Sequence, residues 1–280
     1  MARWLALMPA LSPAARRGCA LAWVAGALLL VGCAAPSNHR DWSPELAVLP
    51  YSERVGDQVT VHNVRNCAYL SEDEFVVKYY DKQYDLNRLR SVDFLVVPFD
   101  GIPSLAHTML SFGFDGDNFL DVSVEVRKQK GQTYQLVKGM LHEYELMYVV
   151  GDERDLIQLR TEYRKSDVYL YRATATPEQA RELFVDVFDR VNKLASQPEF
   201  YDTLTNNCTT NIAQHINHLA PHKIPFDYRV LLPGYSDRLA YDLGLIEHHG
   251  TFEETKRRAH INAVAAVYRD DPDFSGKIRR

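Results

Sequence analysis

The chain has 280 residues, a formal net charge of −5, 46% hydrophobic residues and four cysteines. That length is enough for one large domain with a substantial core. The acidic balance and the lack of any basic tract disfavour nucleic-acid binding, which leans on clustered lysine and arginine against phosphate.

At the N-terminus, Arg16 and Arg17 precede an apolar run from about Ala20 to Val31, which ends in Leu30-Val31-Gly32-Cys33. The run falls short of the roughly 20 residues needed to span a bilayer, and its charged and apolar regions are those of an export signal. Leu-Val-Gly-Cys resembles the lipobox of bacterial lipoproteins. The resemblance implies removal of residues 1–32, a diacylglyceryl thioether on Cys33, and, with Ala34 rather than Asp beside it, an outer-membrane anchor facing the periplasm. Cleavage would take Cys19, three arginines and no acid, so the net charge moves from −5 to −8. Residues 33–58 are expected to be a lipidated linker and 59–280 the folded domain.

Cys67, within Val64-Arg65-Asn66-Cys67-Ala68-Tyr69, sits on an expected strand end, and Val92–Val97 reads as a strand. Ser104–Phe114 and Phe119–Arg127 flank Asp115-Gly116-Asp117-Asn118, strong turn chemistry that predicts a β-hairpin. Ala106, Leu110, Phe112 and Phe114 share one face of the first strand, and Leu120, Val122, Val124 and Val126 share one face of the second. For both sets to point the same way, even-numbered residues must pair with even-numbered ones. His107 and Glu125 then fall together on the other face. A three-residue loop at 115–117 sets them directly opposite, with Cβ atoms roughly 5 Å apart. A carboxylate beside an imidazole orients the ring and stabilises its protonated form.

Tyr144–Val150 and Asp167–Tyr171 are further strand-like runs, and Asp152, Glu153, Arg154 and Asp155 read as an ion-pair cluster at a strand-to-helix transition. Thr176-Pro177-Glu178-Gln179 has capping-box spacing with proline in the first turn. Ala180, Leu183, Phe184, Val187, Phe188, Val191 and Leu194 then form a wide apolar stripe, which predicts a helix packed on a sheet. The segregation of helices and strands suggests an α+β fold with a mainly antiparallel sheet.

Tyr201-Asp-Thr-Leu-Thr-Asn-Asn-Cys208-Thr-Thr-Asn211 delivers a single cysteine to the first turn of an expected helix. Ile212, Ala213, Ile216, Leu219 and Ala220 recur at helical spacing, Asn206 or Asn207 can cap the start, and Pro221 stops the run. Unpaired N–H groups and the helix dipole there favour a thiolate, so Cys208 is a nucleophile candidate. With Cys33 committed to lipid, a Cys67–Cys208 disulfide is the structural alternative in an oxidising periplasm. His215, His218 and His222 invite a zinc reading, but no second ligand pair with familiar spacing accompanies them, and no metal or cofactor is expected. His215 lies about 10 Å of helix rise beyond Cys208, which makes it a poor base. Pro233-Gly234-Tyr235-Ser236 reads as a turn that could wall a substrate cleft.

Several of these motifs, in this order, resemble the bacterial family named for the N-terminal periplasmic domain of the lipoprotein N-acyltransferase Lnb. They are Ala-His-Thr-Met-Leu-Ser-Phe at 106–112, Ser-Val-Glu-Val-Arg at 123–127, Asp-Glu-Arg-Asp at 152–155, the Cys208 segment at 201–211 and Leu-Leu-Pro-Gly-Tyr-Ser-Asp at 231–237. The match runs from about Val59 to the C-terminus. That family is similar to the circularly permuted branch of NlpC-like, papain-like enzymes, in which the histidine strand precedes the cysteine helix.

The resemblance implies Cys208 as nucleophile, His107 as general base and then acid, and Glu125 as third member, with Asn207, Ser111 and Tyr235 supporting them or lining the cleft. It further implies acyl transfer through a thioester, with phospholipid as donor and a lipoprotein amine as acceptor. The chain departs from the named enzyme in showing no membrane-embedded C-terminal part, so its expected tether is the lipid on Cys33. A murein peptidase or amidase is the alternative in the same chemistry. A non-catalytic envelope lipoprotein with the Cys67–Cys208 bridge is the alternative outside it.

Overall fold

A computed structural model describes residues 35–116, 118–219 and 223–280. The export signal, Cys19, Cys33, Asp117, Ala220, Pro221 and His222 lie outside the described residues.

Strands β1 (Tyr51–Val55), β2 (Gln58–Arg65), β3 (Ala68–Tyr69), β4 (Phe75–Val76), β5 (Tyr79–Asp85), β6 (Leu89–Phe99), β7 (Ile102–Phe114), β8 (Asn118–Arg127), β9 (Glu145–Gly151) and β10 (Tyr169–Arg172) follow one another in sequence. Among the described residues, eight of them build one sheet in the order β1-β2-β9-β8-β7-β6-β10, with β5 also on β2, while β3 and β4 pair separately. The pairs are antiparallel except β2 with β9, which meet in parallel at Arg65 and Gly151. The fold is therefore α+β with a mixed, mostly antiparallel sheet.

The hairpin turns where the aspartate- and glycine-rich segment demands it, with Phe114 opposite Asn118 and Leu110 opposite Val122. The β7–β8 ladder ends at Met109 and Ser123, although both strands continue. Beyond that rung β7 stays on β6 as far as Ile102, and β8 stays on β9 as far as Arg127. The two strands part there, and the fork lies at His107 and Glu125.

One face of the sheet carries Leu110, Phe112, Phe114, Leu120, Val122 and Val124, and against it packs the helix Pro177–Ser196 through Ala180, Leu183, Phe184, Val187, Phe188, Val191 and Leu194. Phe184 meets the Phe112 ring edge-on at 5.1 Å. Each such large apolar side chain contributes about 1.5–3 kcal/mol on leaving water, which explains why the stripe forms. Thr176 and Gln179 close the expected capping box at the helix start.

The other face buries Leu95, Val97 and Met109 under Ile157, Val168, Ile261 and Phe274. Ions are built into this layer. Arg279 donates to Asp93 Oδ2 at 2.8 Å and also holds Glu153. Asp155 receives Arg65 at 2.9 Å, and Asp152 caps the Glu153–Gln158 helix by accepting from the Arg154 N–H. Glu153 and Asp155 thus divide between separate buried arginines, Arg279 and Arg65, and Asp152 serves as the helix cap.

The expected linker needs correction. From Ser37 onward the chain belongs to the same compact unit as the rest. Leu46 is buried against Met147, Val149 and Leu156, Trp42 lies 4.2 Å from the Arg127 guanidinium, and β1 extends the sheet. Arg127 donates to the Leu46 and Ala47 carbonyls, so a buried cation draws this segment onto the strand. No described helix is long and apolar enough to cross a membrane.

Candidate active site

Asn207 starts the helix Cys208–Leu219 by a reciprocal cap: its Oδ1 accepts from the Thr210 N–H at 2.9 Å, and its own N–H donates to Thr210 Oγ1 at 2.8 Å. Its Nδ2 donates to the Thr203 carbonyl at 2.7 Å. Cys208 is therefore the first helical residue, where backbone N–H groups have no intrahelical acceptor. The next residue anchors the helix to the sheet, because Thr209 Oγ1 lies 3.1 Å from Thr108 Oγ1 on β7. That contact brings Cys208 beside His107.

At the strand fork, His107 Nε2 is 2.6 Å from Ser123 Oγ and 3.3 Å from Glu125 Oε1. The Ser123 hydroxyl donates to Glu125 Oε1 at 2.7 Å. With its own proton committed to Glu125, Ser123 accepts from His107 Nε2–H, which leaves Nδ1 as the ring atom that can take the thiol proton. Arg160, on the π-helical turn Leu159–Tyr163, donates to Glu125 Oε1 at 2.9 Å and to the Leu156 carbonyl at 2.8 Å. π-turns inside helices recur at functional sites.

Electrostatics follow from these contacts. Burial works against an imidazolium at His107, yet Glu125 and Cys208 raise it to about 9. Burial likewise works against a thiolate at Cys208, but His107, with help from Thr108, brings it down to about 7. Burial also opposes ionisation of Glu125, and it is overcome by His107, Arg160 and Ser123, which hold the carboxyl well below its ordinary range. Between the two middle values the thiolate–imidazolium pair is the dominant form.

The pair opens into a cleft of about 540 Å³. Its walls include Val97, Phe99, Leu105, Met140, Leu204 and Leu232, together with Tyr134 and Tyr201, whose hydroxyls are 3.4 Å apart. Pro233 closes one side. Gly234 beside it packs so tightly on β7 that a Cβ would sit 2.0 Å from the Pro103 carbonyl oxygen, so only glycine lets this wall seat.

His107, Glu125, Cys208 and Asn207 come together, with Asn207 serving as the helix cap. Two expected supporting residues do not join them. Ser111 is on the His107 face of β7 but two rungs down, where its hydroxyl donates to Glu153 Oε1 at 2.6 Å and also meets Arg279. Tyr235 is exposed and packs on Tyr228 rather than lining the cleft. The sequence reading missed Ser123, Arg160 and Tyr201. Alternation along β8 puts Ser123 on the Glu125 face and could have revealed it; nothing periodic points to Arg160.

The disulfide alternative is also corrected, because both Cys67 and Cys208 are free thiols in different surroundings. The Cys67 N–H donates to Asp155 Oδ2 at 2.7 Å, and burial with the Asp155 charge pushes its thiol up to about 11. Such a thiol is a poor nucleophile at neutral pH. Among the described residues, one group could hold a metal ion: Asp186, His215 and His218, away from the thiol.

A family model described as the Lnb N-terminal periplasmic domain matches residues 76–234, which span His107, Ser123, Glu125, Arg160, Cys208 and the Pro233-Gly234 wall. The chain belongs to the Lnb N-terminal periplasmic domain family. No curated protein and no solved structure gives a match. Every residue of the Cys208 and His107 network therefore lies within the Lnb-type domain, and the family's description places that domain in the periplasm.

Proposed function

We propose that this Lnb-related protein is a cysteine acyltransferase or hydrolase, anchored to the outer membrane through lipidated Cys33 and working through a thioester on Cys208. The observation that carries the proposal is the Cys208–His107 pair, set at a helix start and opening into a cleft with an apolar rim. The order of the histidine strand before the cysteine helix supports a permuted papain-like arrangement.

In the first step the Cys208 thiolate attacks an ester carbonyl carbon, and the Cys208 N–H, free of intrahelical duty, faces the developing oxyanion. His107, holding the thiol proton, passes it to the departing alkoxide as the C–O bond breaks, and the acyl group remains on sulfur. An amine or water then attacks the thioester, giving its proton to His107 Nδ1, which returns it to the sulfur as the C–S bond breaks. Glu125, held by Arg160 and Ser123, stabilises the imidazolium through both halves. Phe99, Met140, Leu204 and Leu232 keep substantial exposure at the cleft rim, which suits a phospholipid acyl chain as donor. A lipoprotein amine is the proposed acceptor.

Intact mass spectrometry of the protein after incubation with phospholipid vesicles tests the reading, with Cys208→Ala as control. A hydroxylamine-labile gain of one acyl mass, absent from the control, is the expected result. A free, alkylatable Cys208 that never acquires an acyl group from lipid, together with cleavage of muropeptides, would replace the proposal with a cell-wall peptidase.

A further inference from the structure

His215 and His218 lie about two turns beyond Cys208 and one turn apart, so they share a face of their helix. That face meets Asp186 of the Pro177–Ser196 helix. Asp186 Oδ2 is 2.6 Å from His215 Nδ1, and both carboxylate oxygens are 3.2 Å from His218 Nδ1. The three donor atoms all lie within 4.8 Å of one another.

The hydrogen bonds behind His215 make this more than an ion pair. Asn211 Nδ2 donates to Asn206 Oδ1 and to the Asn207 carbonyl, both at 2.9 Å, which turns its Oδ1 toward Tyr148. The Tyr148 hydroxyl donates its one proton to Asn211 Oδ1 at 3.2 Å and must accept from His215 Nε2–H at 2.8 Å. The ring then presents a bare Nδ1 to a carboxylate oxygen at 2.6 Å, two acceptors face to face. Something positive belongs between them. A second proton would answer that one contact but would leave His218 Nδ1, 3.2 Å from both oxygens of the same carboxylate, to be answered separately. A divalent cation answers the same need and also takes the His218 lone pair.

We propose that Asp186, His215 and His218 form a binding site for a divalent transition-metal ion, with zinc the best fit to two imidazoles and one carboxylate. Zinc takes imidazole nitrogen and carboxylate oxygen at about 2.0–2.2 Å and tolerates a fourth, water ligand. His218 is 65% exposed at its side chain, so the site opens to solvent on that side. Tyr148 is the outer partner that fixes the His215 tautomer, a common arrangement around metal-bound imidazoles. The nearby Arg190 charge is already answered by Glu199, which it grips through two hydrogen bonds of 2.6 Å. The sequence showed His215, His218 and His222 without an accompanying ligand pair because the carboxylate lies 29 residues before His215, on another helix. The bound ion fastens the helix that carries Cys208 to its neighbour and takes no part in the thiol chemistry.

The test is calorimetric titration of zinc chloride into tag-free, chelator-stripped protein, compared with His218→Ala, Asp186→Asn and Cys208→Ala, and paired with thermal melts. His218 is exposed enough for its alanine variant to fold, which circular dichroism would verify. The expected result is one zinc per chain with a rise in Tm for the wild type and Cys208→Ala, and affinity at least about tenfold weaker in the other two variants. Cobalt substitution should give d–d absorption without a sulfur-to-metal charge-transfer band. No saturable binding to the wild type, equal binding to His218→Ala, or loss of binding in Cys208→Ala would overturn the site.

Discussion

Arg160 reaches Glu125 from a π-helical turn at 2.9 Å and adds a second positive charge to that of His107 in keeping the acid of the site ionised. Arg160→Gln should therefore lower kcat about tenfold, less than the roughly 10²–10⁴-fold that a positioned acid–base group itself supplies, while substrate affinity changes little. Glu125 would still be ionised at pH 9, while a positive charge near the imidazolium is gone, so the alkaline limb of the pH–rate profile should move above its wild-type position near 9. An unchanged alkaline limb would show that Arg160 merely fills space.

Alkylation of Cys208 reads the ion pair directly. With the thiol at about 7 and the imidazole at about 9, reaction with iodoacetamide should rise with a midpoint near 7. Acyl transfer needs both partners charged, so its rate should climb through 7 and decline through 9. In His107→Ala the thiol loses its counter-charge and keeps its burial, so the alkylation midpoint should climb above the ordinary cysteine value. A midpoint that stays near 7 in that variant would separate the thiol from the histidine.

Gly234→Ala places a methyl group against the Pro103 carbonyl. Relief requires the Pro233–Tyr235 turn to lift from β7, at a cost of about 1–3 kcal/mol by analogy with overpacked interiors. The expected outcome is a folded protein with reduced Tm and impaired turnover, since Pro233 walls the cleft. Ala at Tyr235, which stands outside the cleft, should leave turnover near the wild-type level.

The two cysteines of the compact unit should behave differently. Thiol titration of unreduced, denatured protein should find both Cys67 and Cys208 free. Cys67→Ala should retain acyl transfer, because the Cys67 thiol sits beside Asp155, apart from His107. Abolished turnover in a well-folded Cys67→Ala variant would give the second thiol a part in the chemistry.

The hairpin and its site were legible because alternation is a local signal. Leu110 and Val122 had to share a face, and that one requirement set His107 against Glu125. The Asn207 cap was readable for the same reason, since capping residues act over three or four positions. Residues whose meaning depends on distant partners were not readable. Ser111 looked available beside His107 until Glu153 and Arg279 claimed its hydroxyl. Arg160 belongs to a π-turn with no periodic signature, and Asp186 reaches the histidines from another helix. Trp42 and Leu46 read as part of a linker because sequence could not show the hollow they fill against β9 and Arg127.

The pairing of Asp93 with Arg279, 186 positions apart, also constrains the order in which the molecule can assemble. A chain emerging from its amino end presents Asp93 and Glu153 long before their shared cation exists. Arg172 on β10 can already answer Asp93 at 3.0 Å, but until Arg279 arrives, closing the β6 layer would trap Glu153 in a dry interior without a counter-ion, at a cost of several kcal/mol. The apolar face, supplied by nearer segments, can condense earlier. Consolidation of the opposite face therefore waits until Arg279 has been delivered, which delays formation of a fully closed core.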